Sequence, residues 1–297
     1  MKSPLRALDA PAHAKRLTIQ ASCLAALLLG GGLAACKSEP SSPSPTLSAS
    51  SAASSGLPLA SAAKTTSDGG PADASKNAEA AEVLETSRGK LELYPIRHAT
   101  VWLRAGEKIV WVDPWSQADL AAGPPADLVL VTDIHGDHFD APAIAKVSKP
   151  GTMVVGPKVV AEKLAGVTVL DNGAKLDVGE ISLEGVPMYN LRRGPSEGKL
   201  FHDKGRGNGY VLAFGGKRVY FSGDTECTPE MRALRSIDVA FVCMNLPYTM
   251  PPSEAAECVK AFAPKVLVPY HYRGQNLDEL AAPLAGTGIA IHRHELY

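Results

Sequence analysis

The chain has 297 residues, a formal net charge of −1 and 45% hydrophobic residues. That is an ordinary globular balance, and near-neutral charge gives no electrostatic reason to expect a nucleic-acid partner. The length admits one large domain or two small ones, so the distribution of residues along the chain decides the organisation.

Composition changes sharply from one end to the other. Residues 1–16 are polar and net basic, with Lys2, Arg6, Lys15 and Arg16 against Asp9. Residues 17–35, LTIQASCLAALLLGGGLAA, are apolar and small. This is the layout of a signal peptide, with an apolar stretch too short and glycine-rich for a good spanning helix. It closes on Leu33-Ala34-Ala35-Cys36, which resembles the lipobox of a bacterial lipoprotein. The resemblance implies removal of residues 1–35 and acylation of Cys36 as the mature N-terminus; an uncleaved anchor and an ordinary secretory signal are the alternatives. Residues 36–85 are rich in Ser, Ala and Pro with almost no large apolar side chains. Such a stretch cannot bury enough surface to offset its ordering entropy and reads as a tether. Lys37-Ser38 lacks the acidic residue that retains lipoproteins at the inner membrane, so the expectation is a lipid-anchored protein of the bacterial cell envelope, on the outer membrane where the cell has one.

Residues 86–297 are then the folded part, long enough for one well-buried core. KLELYPI (90–96), ATVWLR (99–104) and KIVWVD (108–113) read as short strands, with a hairpin turn at Arg104–Glu107. DLVLVT (127–132) is a strand buried on both faces. APAIAKV (141–147) is a helix with Asp140 as N-cap, followed by the strand TMVVG, a helical segment near 157–165 and the strand VTVL. The second half opens with the strand 181–189 and a hairpin turning at Gly215-Gly216. A helix near 228–234, the strand DVAFVCM, a helix over 253–262 capped by Ser253, the strand KVLVPYH, a last helix and the strand IAIHRH complete it. Strand–helix alternation in both halves, each opening with antiparallel strands, permits an α/β fold of four layers: helix, sheet, sheet, helix. Cys227, Cys243 and Cys258 remain in this part, an odd number without CxxC spacing, so a free thiol is expected and no disulfide framework is indicated.

The chemistry gathers at strand ends. VTDIHGDHFD (131–140) places Asp133, His135, Asp137 and His138 directly after an apolar strand, where ligand sites of α/β folds lie. In an extended turn Asp133 and His135 point the same way, and Asp137 and His138 follow, so one loop can serve two adjacent cations. Gly136 is read as the point where the backbone turns. Imidazole and carboxylate donors suit zinc, manganese or iron. Asp224 in YFSGDTE and His271 in VLVPYHYRG also follow buried strands. Each alone reads as an ordinary turn carboxylate or a structural histidine; together with 131–140 they supply the further strands a two-metal site needs.

These motifs, with Arg97-His98-Ala99-Thr100, Val112-Asp113-Pro114, Pro187-Met188-Tyr189-Asn190, Ser222-Gly223-Asp224-Thr225 and Pro269-Tyr270-His271-Tyr272, resemble the metallo-β-lactamase-fold hydrolases, in particular the lactonase and phosphodiesterase-like branch. The resemblance spans nearly all of 88–297. It implies an αββα sandwich with two divalent metal ions, zinc first and manganese or iron as alternatives. His135 would serve the first ion, Asp137, His138 and His271 the second, and Asp224 would bridge them. Two departures fall on the same ion. Asp133 stands where the family has its first histidine, and can still ligate through oxygen. Asn190 stands where many members carry another histidine, and His202 in LFHDKG is the candidate to compensate. His98, Asn190 and Tyr248 are placed near the substrate. The loop 191–208 holds Arg192, Arg193, Lys199, Lys204 and Arg206, a solvated surface or, beside a metal site, a recogniser of anions.

The reading is a lipid-anchored, metal-dependent hydrolase in which a metal-activated water, oriented by Asp137, attacks a phosphodiester, lactone or ester. The substrate is a small or lipid-like molecule. The rival is a non-catalytic metal- or ligand-binding lipoprotein on a degenerate scaffold of the same fold.

Overall fold

The computed structural model describes residues 80–297; the signal peptide, Cys36 and most of the tether lie outside the described residues. The strands β1 (Glu82–Thr86), β2 (Gly89–Arg97), β3 (Thr100–Ala105), β4 (Lys108–Val112), β5 (Ala126–Leu130), β6 (Ser148–Gly156) and β7 (Val167–Val169) form one sheet in that order. The helices α1 (Ala141–Val147) and α2 (Lys158–Ala161) lie between its last strands in sequence. The second sheet runs β8 (Lys175–Val178), β9 (Ile181–Met188), β10 (Gly207–Phe214), β11 (Lys217–Phe221), β12 (Val239–Cys243), β13 (Val266–Tyr270) and β14 (Ala290–Ile291). Helices α3 (Pro229–Arg232), α4 (Pro252–Phe262) and α5 (Leu277–Leu284) join its later strands. In each sheet the early strands pair antiparallel and the last four pair parallel. Tight turns suffice for the antiparallel half, whereas parallel neighbours need crossovers, which the helices provide.

Side-chain parity explains the four layers. In β3 and β4, Val101, Leu103, Val110 and Val112 enter the core between the sheets, while Trp102, Ile109 and Trp111 face the other way, onto Ile144 and Val147 of α1. Successive strand residues point to opposite faces, so a strand covered on both sides must be apolar throughout. β12 meets that condition along its whole length. Asp140 caps α1 by accepting from the Ala143 amide at 3.0 Å, as expected. At the other expected cap the structure differs: α4 starts one residue earlier, with Pro251 as N-cap and no side-chain cap bond, because Pro252 occupies the first turn where no N–H is needed.

Three further differences have physical causes. β1 lies inside the stretch read as tether, pairing with β2 from Glu82↔Leu93 to Thr86↔Gly89; Val83 and Leu84 are too few to stand out in a polar composition. β8 is an edge strand of mixed polarity, Lys175 to Val178, with no apolar run to mark it. Cys227 and Cys258 form a disulfide with Cα atoms 5.5 Å apart, which spacing alone does not reveal, and Cys243 is the buried free thiol. The bridge ties the segment after Asp224 to α4. Closing a loop of sequence separation 31 removes conformational freedom from the unfolded chain, a contribution of about 3–4 kcal/mol on the loop-entropy account. Cys258→Ser is therefore expected to lower the unfolding free energy by about that amount in urea titration, and reduction of the native protein to give the same loss.

Candidate metal centre

All the donors except His202, which lies in the connection between β9 and β10, sit at the carboxyl end of a strand or in the turn beside one. Asp113 follows β4, residues 131–138 follow β5, Asn190 follows β9, Asp224 follows β11, His271 follows β13, and His98 lies between β2 and β3. His98, Asp113 and His271 have φ of 55, 45 and 48°. Left-handed backbone at non-glycine residues costs roughly 1–3 kcal/mol each, and its concentration here marks a place where surrounding structure imposes the geometry.

One donor group centres on Asp224. His138 is fully buried, and its Nδ1 lies 2.8 Å from Asp113 Oδ2. The same Asp113 carboxylate accepts from the Thr132 amide at 2.8 Å and the Thr132 hydroxyl at 2.6 Å. With the Nδ1 proton given to Asp113, His138 Nε2 presents a lone pair. That atom makes no hydrogen bond and lies 3.4 Å from Asp224 Oδ2. His271 Nδ1 is likewise unpartnered, 3.4 Å from Asp224 Oδ1. Asp137 closes this side, 3.4 Å from His271 Nε2 and 3.9 Å from His138 Nε2.

The other side is completed by His202. It is fully buried rather than solvated. Asn190 Oδ1 accepts from the His202 amide at 3.0 Å and faces its Nδ1 at 2.6 Å. A carbonyl oxygen only accepts, so His202 carries its proton on Nδ1 and aims an unpartnered Nε2 at Asp224 Oδ2, 3.3 Å away. Asn190 Nδ2 donates to Tyr248 O at 2.8 Å and toward Glu226, which holds the turn by accepting from the Leu191, Arg192 and Arg193 amides. Asn190 is thus an orienting residue. Placed near substrate by the sequence, it is instead buried behind His202 with both ends of its amide in use. Asp133 lies with His135 and His202 in a second group of donors. Its oxygens are held by Arg206, at 3.0 Å from Nε and 2.6 Å from Nη2.

Lone pairs facing a carboxylate at 3.3–3.4 Å repel unless positive charge lies between them. These separations equal the edge of a tetrahedron with bonds of about 2 Å, the coordination length of zinc. The donors around Asp224 therefore fit a divalent cation, and Asp133, His135 and His202 form a further group of donors beside it. Electrostatics agree. Burial works against the charge on Asp224, yet His271 and His138 hold it well below the usual carboxylate range. Burial likewise opposes the charge on His138, and Asp224 and Asp113 outweigh it, pushing its pKa well above the usual imidazole value, so that a proton can supply the positive charge where no cation is bound. For Asp137 burial is overcome by hydrogen bonds from His271 and His98, and its carboxyl is pushed down. His98 goes the other way: burial, only partly offset by Asp137, lowers it to about 4. Neutral His98 bridges Asp137 Oδ2 at 3.0 Å and Tyr297 Oη at 2.9 Å.

A cavity of about 340 Å³ opens onto these groups, lined by His98, His135, Asp137, Phe201, His202, Asp224, Asn245, Tyr248 and Arg273. His98 and Tyr248 are on its wall. Gly136 needs correction: it has no left-handed φ, and a Cβ there meets nothing within 4 Å, so the turn does not require glycine. The glycine that matters is Gly223, with φ +59° and Met188 Sδ 2.5 Å from any added Cβ. The basic loop is also different from the anion recogniser considered: Arg192 and Arg193 pair with Glu254, Lys204 with Glu230 and Arg206 with Asp133. Asp113 and Tyr297 had no assigned role in the sequence, and Arg206 was grouped only with the basic loop. Asp113 alone carried a signal, in the Val112-Asp113-Pro114 motif.

Fold and donors together define a metal-dependent hydrolase on the metallo-β-lactamase fold. Residues 92–271 match the family described as the beta-lactamase superfamily domain. Within it the chain belongs to the UPF0173 metal-dependent hydrolases. It is 33% identical over 195 residues to the member from Pyrococcus abyssi, covering 59% of this chain and 81% of that one. With the Anaeromyxobacter dehalogenans member it shares 31% over 231 residues, 68% and 84% of the two chains. A crystal structure from Parabacteroides distasonis, assigned as a metal-dependent hydrolase, superposes with TM-score 0.69 and 39% identity over 73% of this chain and 98% of that one. A metallohydrolase from Ignicoccus hospitalis, at 21% identity and TM-score 0.56 over 69% and 95% of the chains, shares the fold. A scaffold kept only for binding finds no support beside intact donors and hydrolase relatives.

Asp113→Asn and Asn190→Ala should each weaken metal binding by about 10- to 100-fold. Both act by releasing the imidazole they orient, His138 and His202 respectively. Competition against a chromophoric chelator measures the change.

Proposed function

We propose that the protein hydrolyses a phosphodiester, lactone or ester at two divalent cations on either side of Asp224, in the bacterial cell envelope. The observation that carries the proposal is the set of buried, unpartnered atoms, His138 Nε2, His202 Nε2, His271 Nδ1 and Asp224 Oδ1, gathered around one carboxylate. Asp137, His138, His271 and Asp224 would hold one cation; His135, His202 and Asp224 the other, with Asp133 behind them. Zinc is the ion that mixed imidazole and carboxylate donors favour, and manganese or iron are accepted by the same set. Bound cations supply Lewis acidity, lowering the pKa of water and polarising the oxygen of the scissile bond.

The chain's own residues do the rest. Asp137 is held ionised and half-open to the cavity, between His98 and His271. It orients the attacking water and accepts its proton. His98 donates Nε2–H to Asp137 and accepts from Tyr297 Oη, which keeps Asp137 in one position during the transfer. Phe201 and Tyr248, edge to face at 5.1 Å, give the cavity an aromatic wall.

Anchoring through Cys36 is supported by the leader and tether composition. The Cys227–Cys258 bridge suits an oxidising compartment such as the periplasm or cell surface.

After zinc or manganese loading, the purified domain should hydrolyse at least one class in a panel of phosphodiester, lactone and ester. Chelation should abolish the activity and re-addition restore it. Less than one bound metal per chain together with no hydrolysis on the panel contradicts the proposal. Asp137→Asn should lower kcat by about 10²- to 10⁴-fold. In cells, Cys36→Ser should move the protein from the membrane fraction to the soluble one; unchanged fractionation contradicts lipid anchoring.

A further inference from the structure

In the loop that looked suited to anions, every cation but the exposed Lys199 is paired within the chain. Arg192 and Arg193 reach Glu254 at 2.6 and 2.8 Å, Lys204 reaches Glu230 at 2.7 Å, and Arg206 reaches Asp133 at 2.6 Å. One cationic side chain on the cavity wall is different. Arg273 is exposed, lines the cavity that holds the metal donors, and forms no ion pair among the described residues. Its backbone is nonetheless fixed. It follows His271 and Tyr272; the Tyr272 hydroxyl donates to His294 O at 2.8 Å, its ring meets Tyr297 edge to face at 4.9 Å, and its carbonyl accepts from the Gln275 amide at 2.8 Å.

A second polar group faces the same space. Asn245 is 7% exposed, and its backbone is tied to Tyr248 and Thr249. Its side-chain amide makes no hydrogen bond among the described residues, yet it lines the cavity. Its polar atoms are open to the cavity, where an occupant can take up the hydrogen bonds that solvent makes there. Arg273 and Asn245 thus offer unpaired donors on the wall of a cavity whose carboxylates are all engaged with histidines or Arg206.

We infer that the substrate is a compact anion, with a carboxylate or phosphoryl oxygen taken between the Arg273 guanidinium and the Asn245 carboxamide while the scissile bond faces Asp137 and Asp224. This deepens the hydrolase reading and rests on it. Guanidinium matches planar or tetrahedral oxyanions with paired N–H donors, and such charge-assisted bonds are about twice as strong as neutral ones. Phe201 and Tyr248 would cover the apolar part. A volume of about 340 Å³ limits the occupant to a small molecule.

Calorimetric titration of the metal-loaded protein tests this with three probes: phenylacetate, monomethyl phenylphosphonate and neutral phenylacetamide. The tighter of the two anions identifies carboxylate or phosphoryl as the preferred group. Arg273→Gln should weaken that anion by about tenfold or more, with Arg273→Lys losing less and metal content unchanged. A change below about twofold in Arg273→Gln at equal metal content overturns the inference, as does neutral amide binding as tightly as either anion. If the Kd shift is found while the hydrolysis panel stays silent, the hydrolase reading fails and the anion site stands.

Discussion

The buried Asp224 carboxylate is the constraint on which the rest of the site depends. It is surrounded by imidazole nitrogens at 3.3–3.4 Å whose protons are committed elsewhere. Asp113 accepts a hydrogen bond from His138 Nδ1–H and Asn190 Oδ1 accepts one from His202 Nδ1–H, so the atoms aimed at Asp224 carry lone pairs. Without positive charge between them, from a metal ion or from protons on the imidazoles, one buried negative group would face electron-rich neighbours in a medium of low dielectric, where such repulsion is several times stronger than in water. Positive charge is therefore part of the folded state's electrostatic balance. The strained backbone at His98, Asp113 and His271 is tolerated because it places these groups.

The sandwich supplies the rigidity for this. Parallel strands β4, β5, β11 and β13 end at one edge, so donors far apart in sequence arrive together without long flexible connections. Around them a ring of bonds fixes angle as well as position. Tyr270 Oη accepts from the Gly223 amide at 2.8 Å, holding the turn that presents Asp224. Glu226 organises the turn carrying Asn190, and the Cys227–Cys258 bridge fastens the chain just beyond it to α4. Orientation by outer partners is as much a part of such a site as the donors themselves.

Sequence went far here and stopped at identifiable places. The short apolar runs of β3 to β5 and the strand-end clustering of His135, Asp137, His138, Asp224 and His271 were readable, because both follow from local spacing. The substitutions at 133 and 190 were visible, but their consequences were not. That Asn190 would turn from donor to orienter, and Asp133 toward Arg206, depends on contacts 12 and 73 residues apart in the chain. Neither leaves a periodic trace. Tyr297 and Arg273 were missed for the same reason: single residues in loops whose relevance comes only from where the fold sets them. The disulfide was hidden because three cysteines without characteristic spacing allow several pairings.

The central claim is that the site would hold two cations beside Asp224, with His202 needed for one of them. Zinc or cobalt(II) titration of the metal-free protein, with equivalents counted by elemental analysis after gel filtration, tests it most directly. Two equivalents in the wild type and one in His202→Ala are the predicted result. A single equivalent in the wild type, or two retained in His202→Ala, would contradict it.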